Sequence, residues 1–258
     1  RAAGGRAESP LFMVHGLGGE VGWFYGLANF LDESVPLYGL QAPPEPFEHI
    51  EAMADCYLDE LRSVQPRGPY RLGGYCIGGG VAYEMARQLE EAGEAVSMLV
   101  LIDSVPQAHI VDQQAAVPLT GRVKRLLQKD PREMVRSTRD FAAQAARKLR
   151  SKLDTDGVER PMELDDVLDM ATLPRVYHEP SRRHFRAMRD YCPGPFGGDA
   201  WLLRTADPRF GEDFGWGELV MGELHVERIP GRHVDVLKEP HVQVVASKLS
   251  RALGHAER

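Results

Sequence analysis

The stretch Gly74-Tyr75-Cys76-Ile77-Gly78 constrains the fold of this chain more than any other part of the sequence. Residues 70–72 before it are typical of a strand end, and residues 81–89 after it are typical of a helix. A G-x-C-x-G between a strand and a helix is the nucleophile-elbow pattern, with cysteine in place of serine. The N-terminal N–H groups of such a helix favour a thiolate and an adjacent oxyanion. The alternatives are a structural glycine-rich turn with a buried cysteine, or a phosphate loop, but neither phosphate-loop pattern is present.

Segments typical of strands and helices alternate on both sides of one long helical stretch. The run 96–102 is apolar on both faces, which is typical of a central strand in a parallel sheet. From about residue 107 to residue 191 the pattern is almost wholly helical. Further strands are predicted at 11–14, 35–40, 200–204 and 224–229, and further helices at 21–31, 50–64 and 240–253.

This order predicts an α/β fold with an open, mostly parallel sheet and helices on both faces. The helical insertion, about 107–191, is predicted to be a lid over the carboxyl ends of the strands, where ligands of such sheets bind. The alternative is a subdomain without a role in binding. We predict one domain at 11–253, preceded by a linker at 1–10 and followed by a tail at 254–258. The linker-like, Met-free start indicates a chain cut from a longer polypeptide.

Composition argues against several classes of partner and location. The formal net charge of −7 argues against nucleic acid as the main partner. Neither a run of about 18 apolar residues nor a secretory signal is found, so no membrane association is expected. The three cysteines, Cys56, Cys76 and Cys192, have no disulfide or metal-ligand spacing. Their odd, sparse count suits a reducing cytoplasm. We predict no metal and no cofactor of the chain's own.

A cysteine nucleophile requires a base, and in this type of fold the chain order is nucleophile, acid, base. His233 is the predicted base because it lies in a loop just after the last predicted strand. His15, which follows the first strand, is predicted to shape the oxyanion loop. The other histidines have weaker positions, within a strand, at a helix start or in the insertion: His225, His241, His49, His109, His178 and His184.

Two aspartates compete for the role of the acid, because each follows a predicted strand. Asp103 ends the long apolar strand after the elbow, and its low solvation suits an acid that holds imidazole in one tautomer. Asp207 follows the next strand, although Asp207-Pro208 is also typical of a turn. We favour Asp103 and keep Asp207 as the alternative.

An oxyanion hole in this arrangement uses two backbone N–H groups. One is predicted to belong to Ile77, the residue after the nucleophile. The other is predicted to belong to Leu17, because Gly18 and Gly19 beside it allow close approach of a substrate.

Several motifs together resemble a known family. They are His15-Gly16-Leu17-Gly18-Gly19, the elbow, Leu101-Ile102-Asp103-Ser104 and Pro230-Gly231-Arg232-His233, with support from Phe214-Gly215-Trp216 and Glu239-Pro240-His241. From about residue 10 to residue 253 the chain resembles the type I thioesterase domains that end nonribosomal peptide synthetases and polyketide synthases. The resemblance implies the α/β-hydrolase fold, and it supports Asp103, because this family keeps its acid after the strand that follows the nucleophile.

The resemblance also implies a reaction. An acyl or peptidyl chain arrives as a thioester on the phosphopantetheine arm of a carrier protein, passes to the nucleophile, and leaves as a free acid or a ring. Most members carry serine, so Cys76 suggests cyclising release, for example of a strained lactone or lactam. The alternatives are a neutral or introduced replacement of serine. The rival functions are a general carboxylesterase or lipase, and a non-catalytic binding domain.

The predicted lid contains a basic segment. Residues 122–152 hold eleven Lys or Arg and three acidic residues, although the whole chain is acidic. Since carrier proteins of these pathways are typically acidic, we predict that this segment docks the carrier. The alternative is an ordinary solvated helix face.

Overall fold

A computed structural model of the chain describes residues 9–45, 47–106, 164, 173–207 and 210–256. The basic segment 122–152, and the predicted lid up to residue 172 apart from residue 164, lie outside these residues. Six strands form one sheet in the order β2-β1-β3-β4-β5-β6, and every neighbouring pair is parallel. They are β1 (Leu11–Val14), β2 (Leu37–Leu40), β3 (Tyr70–Tyr75), β4 (Val96–Ile102), β5 (Ala200–Arg204) and β6 (Leu224–Arg228).

Helices cover both faces of this sheet, as predicted. The described helices of the main layers are α1 (Phe24–Ala28), α2 (Ile50–Val64), α3 (Ile77–Glu91), α4 (His178–Asp190) and α5 (His241–Ala256). Helices α2 and α3 pack against each other, and α3 also contacts β1, β3 and β4. Helix α5 packs on β4 and β5 and against α1. The α/β fold with a parallel central sheet is therefore confirmed.

The central strands are buried, and most of their side chains are apolar, although β3 also buries Arg71. All four residues of β1 are buried, and so are all six residues of β3. Most of β4 is buried as well. The sheet thus forms the centre of the core and fixes the positions of the loops that leave its strands.

Two predicted helices differ from the observed ones. The helix predicted at 21–31 is shorter and spans Phe24–Ala28. Gly22 and Gly26 weaken helix formation in this segment. The same apolar spacing is also compatible with a short helix between two turns. The helix predicted at 81–89 begins earlier, at Ile77, and so includes the three glycines after the elbow. Among the described helices, none has both the length and the apolar character that a membrane crossing requires.

Candidate active site

Cys76 lies in the turn that joins β3 to α3. Its backbone is strained, with φ 60° and ψ −125°, a region that non-glycine residues rarely occupy. The turn is tight because a Cβ on Gly74 would overlap the Gly78 carbonyl, and a Cβ on Gly78 would overlap the carbonyls of His15 and Val14. The Cys76 N–H donates to the Ile102 carbonyl at 3.0 Å, which ties the turn to β4. The elbow geometry that the sequence predicts is therefore present.

The other two predicted catalytic residues follow β4 and β6, whose carboxyl ends lie at the same edge of the sheet as that of β3. In the register of the sheet, Tyr75 pairs with Ile102, and Ile102 pairs with Leu203. Cys76 and Asp103 therefore leave adjacent strands at the same level. His233 follows β6 in a loop that returns over this edge of the sheet. Parallel strands bring their carboxyl ends together, which is the usual ligand-binding edge of such a sheet.

His233 and Asp103 form a direct hydrogen bond. The Nδ1 atom of His233 lies 2.8 Å from Oδ2 of Asp103. Nδ1 is the donor, because the carboxylate accepts, so the Nε2 atom is left to face the reaction. Nε2 is buried and makes no hydrogen bond of standard geometry within the described part of the chain, but the imidazole interacts electrostatically with Cys76.

The Asp103 carboxylate is held by a second residue. The backbone N–H of Thr205 donates to Oδ1 at 2.6 Å, and the Thr205 hydroxyl donates to Oδ2 at 3.1 Å. Asp103 is only 5% exposed, so these bonds replace its hydration and orient it toward His233. Asp207 lies two residues beyond Thr205, and the Nδ1 bond of His233 goes to Asp103 rather than to it.

The pKa of His233 is raised to about 10. Burial is the largest effect and acts to lower the pKa, but the negative charge of Cys76 and the hydrogen bond and charge of Asp103 together outweigh it. The charged forms of these two neighbours therefore favour the protonated imidazole. That state is an imidazolium beside a thiolate, the arrangement that activates a cysteine nucleophile.

Tyr75 contacts the candidate base from inside the elbow. Its ring stacks on the His233 imidazole with a centroid distance of 5.1 Å and an interplanar angle of 25°. Its hydroxyl donates to the His233 backbone carbonyl at 2.6 Å. The residue beside the nucleophile thus also positions the base. Sequence reasoning did not assign this role, because the pattern leaves that position free.

Trp216 supports the acid from the other side. Its indole N–H donates to the Ser104 carbonyl at 2.7 Å, and the whole side chain is buried. This bond holds the chain directly after Asp103. Thr205 and Trp216 were both missed as site residues by sequence reasoning. The only signal for Thr205 was its position two residues before Asp207. The only signal for Trp216 was its place in the Phe214-Gly215-Trp216 motif.

One predicted oxyanion donor lies within the elbow, and the other lies in the loop after β1. Ile77 is the first residue of α3, so its N–H is not needed by the helix's own hydrogen-bond ladder. Leu17 is buried in the loop after β1. That loop abuts the elbow, since an added Cβ on Gly16 would lie 3.1 Å from the Tyr75 ring. The assignment of these two N–H groups to an oxyanion hole stays a prediction.

Comparison with known proteins gives consistent matches over nearly the whole chain. The protein-family model "Thioesterase domain" matches residues 9–253. A dimodular nonribosomal peptide synthase of Bacillus subtilis (strain 168) is 32% identical over 256 residues, which cover 92% of this chain and 10% of that protein. The chain spans about a quarter or less of the length of the curated relatives it matches first.

Two solved structures are similar in fold and sequence. One is the NocB thioesterase domain in covalent complex with a fluorophosphonate nocardicin G analog. It has a TM-score of 0.66, 27% identity, and coverage of 96% of this chain and 95% of that one. The other is AB3403, a four-domain nonribosomal peptide synthetase bound to AMP and glycine. Its TM-score is 0.65 at 27% identity, with coverage of 95% of this chain and 19% of that one.

Proposed function

Because the chain belongs to the thioesterase domain family, we propose that it releases a finished acyl or peptidyl chain from a carrier protein of a nonribosomal peptide or polyketide assembly. The observation that carries this proposal is the alignment of Cys76, Asp103 and His233 at the carboxyl ends of the sheet, with His233 bonded to Asp103 at 2.8 Å. Nucleophile, acid and base follow in the order expected of this fold.

In the first half-reaction, the Cys76 thiolate attacks the carbonyl carbon of the carrier-bound thioester. The N–H groups of Leu17 and Ile77 stabilise the oxyanion. As the bond between the acyl carbon and the phosphopantetheine sulfur breaks, the His233 imidazolium gives its Nε2 proton to the leaving thiolate. The products are an acyl-Cys76 thioester, a free phosphopantetheine thiol and a neutral His233.

In the second half-reaction, His233 becomes the base. Acylation removes the negative charge of Cys76, which is the largest influence that raises the pKa of His233. The pKa therefore falls, and neutral imidazole can accept a proton from water or from a hydroxyl or amine of the bound chain. Attack of that nucleophile on the acyl carbon breaks the bond to sulfur and returns the thiolate. Asp103 holds the imidazole in one tautomer throughout.

Cysteine in place of serine bears on the choice of product. A serine enzyme would convert the incoming thioester into a less reactive oxyester, whereas acyl-Cys76 keeps the reactivity of a thioester. This difference supports release by cyclisation, since an internal nucleophile that is weak, or a ring that is strained, gains most from a reactive intermediate. Hydrolysis is the competing outcome at the same site.

A carrier-protein partner is supported by the relatives, which are much longer proteins that include nonribosomal peptide synthetases. We propose that the basic segment 122–152, which lies outside the described residues, docks an acidic carrier. Charge reversal at Arg136, Arg139 and Arg147 is expected to raise the KM for a carrier-bound substrate and to spare a small free thioester. Equal effects on both substrates would argue against docking there.

The central experiment is incubation of the protein with an acyl chain on a phosphopantetheinylated carrier, followed by mass spectrometry of protein and product. We expect an acyl adduct on Cys76, no adduct in Cys76→Ala, and turnover that exceeds the rate on a matched aryl ester. Cys76→Ser should still load the chain but release it slowly or as the acid. Faster cleavage of the aryl ester would support a general esterase, and absence of any adduct would support a binding domain.

A further inference from the structure

Two buried histidines, His15 and His184, lie in contact behind the loop that carries Leu17. Both side chains are fully buried, and their rings lie 5.1 Å apart with an interplanar angle of 31°. His15 follows β1, whereas His184 is in the middle of α4. Neither belongs to the Cys76–His233–Asp103 group.

Their hydrogen-bond partners determine where each proton sits. His15 Nδ1 lies 2.6 Å from the Gly16 carbonyl, which only accepts, so Nδ1 carries the proton. His15 Nε2 then accepts from the Tyr57 hydroxyl at 2.7 Å. His184 Nδ1 lies 2.9 Å from the Leu17 carbonyl, so this nitrogen is also a donor.

These two donors act on the two peptide groups that flank Leu17. The Gly16 carbonyl and the Leu17 N–H belong to one planar peptide group and point in opposite directions. The bond from His15, together with a 3.0 Å bond from the Gly19 N–H, therefore sets the direction of the Leu17 N–H. His184 holds the next peptide group through the Leu17 carbonyl. Rotation of the first group would turn the Leu17 N–H itself, and loss of the bond to the second would free the Leu17 backbone that carries this N–H to shift.

We propose that His184, together with His15, is a positioning residue that holds the Leu17 N–H in the oxyanion hole. This inference rests on the proposed function, because it assigns a role within the same acyl transfer. It links α4, which precedes β5 along the chain, to the reacting carbonyl group.

The cost of keeping a histidine at this position supports a specific role. His184 Nε2 is buried without a hydrogen-bond partner in the described part of the structure, and an unsatisfied polar atom of this kind is destabilising. An apolar side chain would avoid that cost but would leave the Leu17 carbonyl unbonded. Burial also lowers the pKa of His184 and keeps the ring neutral beside His15.

The test compares His184→Leu, which removes the donor, with His184→Asn, whose amide N–H can occupy the place of Nδ1. Each variant is assayed with a small acyl-N-acetylcysteamine thioester, and alkylation of Cys76 by iodoacetamide is followed by peptide mass spectrometry. Alkylation uses the thiolate but forms no oxyanion. We expect His184→Leu to lower kcat/KM for the thioester about 10–100-fold, less than outright loss of an oxyanion donor. Its Cys76 alkylation rate should remain near that of the wild type.

His184→Asn should recover most of the thioester activity. Ser181→Ala is the matched control, because Ser181 is buried one turn earlier on α4 and its hydroxyl has no partner among the described residues; its kinetics should not change. Parallel losses of alkylation and thioester cleavage in His184→Leu would overturn the inference, as would equal activities of the Leu and Asn variants. A wild type that forms no acyl-Cys76 would instead refute the proposed function.

Discussion

The partly buried His233 and the fully buried His15 have opposite electrostatic environments. Between Asp103 and Cys76, the pKa of His233 is raised to about 10. Beside His184 and Tyr57, burial and then the charge that His184 would carry lower the pKa of His15 to about 3. One histidine is therefore charged at neutral pH, and the other is neutral.

Burial is the largest effect in both places, and in both it acts to lower the pKa. What differs is the neighbouring group. His233 contacts the Asp103 carboxylate and lies beside Cys76, and the negative charge of these groups stabilises its protonated form. His15 has a hydroxyl, a carbonyl and another imidazole, so its proton stays on one nitrogen. The same side chain thus serves as a proton carrier in one place and as a fixed hydrogen-bond donor in the other.

Among the variants considered, removal of the Asp103 carboxylate should have the largest effect on catalysis. In Asp103→Asn the charge that stabilises protonated His233 is lost and its tautomer is no longer fixed, so we expect kcat for a thioester substrate to fall about 10³–10⁴-fold. Steady-state kinetics with the carrier-bound substrate measure this loss. Asp207→Asn is the matched control and should change kcat little. Comparable losses in the two variants would show that Asp103 is not the sole acid.

Replacement of Cys76 tests how far this residue raises the pKa of His233. In Cys76→Ala the pKa of His233 should fall by about 1–3 pH units, because a charge in contact with the ring is lost. Titration of the histidine ring resonances by NMR measures the shift directly. Cys56→Ala, a change to a free cysteine on α2, should leave the His233 titration as it is in the wild type. An unchanged pKa in Cys76→Ala would contradict the proposed switch from acid to base.

The neutral pair should make the fold sensitive to acid. Because the folded-state pKa of His15 is about 3, far below its ordinary value of 6.5, its contribution to stability is complete above about pH 6.5 and is lost as the pH falls toward 3. One such group adds about 1.4 kcal/mol per pH unit to the slope of the unfolding free energy in that range. Urea unfolding of the wild type and His15→Asn between pH 7.5 and 4.5 compares the slopes. Equal slopes would show that His15 is not the titrating group.

The smallest expected effect concerns the position of His233. Tyr75→Phe keeps the ring stack but removes the hydroxyl bond to the His233 carbonyl, so we expect kcat to fall about fivefold, which corresponds to about 1 kcal/mol. Tyr83→Phe is a suitable control, since that hydroxyl bonds to the carbonyls of Gly194 and Leu219. It should lower the melting temperature without a comparable change in kcat. A loss of the same size in both variants would indicate general destabilisation.

Much of the fold could be predicted from local sequence. The strands were predictable because runs such as 96–102 are apolar on both faces, and the elbow because Gly74 and Gly78 have steric reasons to be glycine. The helix predicted at 21–31 is longer than the observed Phe24–Ala28, since apolar spacing alone does not mark where a helix begins and ends.

Part of the candidate site followed from the order of strands. His233 and Asp103 could be proposed because each follows a strand, and parallel strands end at one edge of the sheet. Their roles and the roles of Leu17 and Ile77 remain predictions that the variants above test. Thr205 and Tyr75 could not be found in this way, because their contacts depend on loop conformations that no local pattern specifies.

The sequence by itself determined the strained cysteine turn, the parallel sheet and the short set of residues from which a triad could be chosen. Only the tertiary structure decided that His233 bonds to Asp103 rather than to Asp207, and that His184, far from His15 along the chain, lies against it and bonds to the Leu17 carbonyl. The physical reason is the separation along the chain over which each effect acts. Steric limits and apolar periodicity act between near neighbours, whereas a histidine's charge depends on carboxylates and burial that the folded chain brings from distant segments.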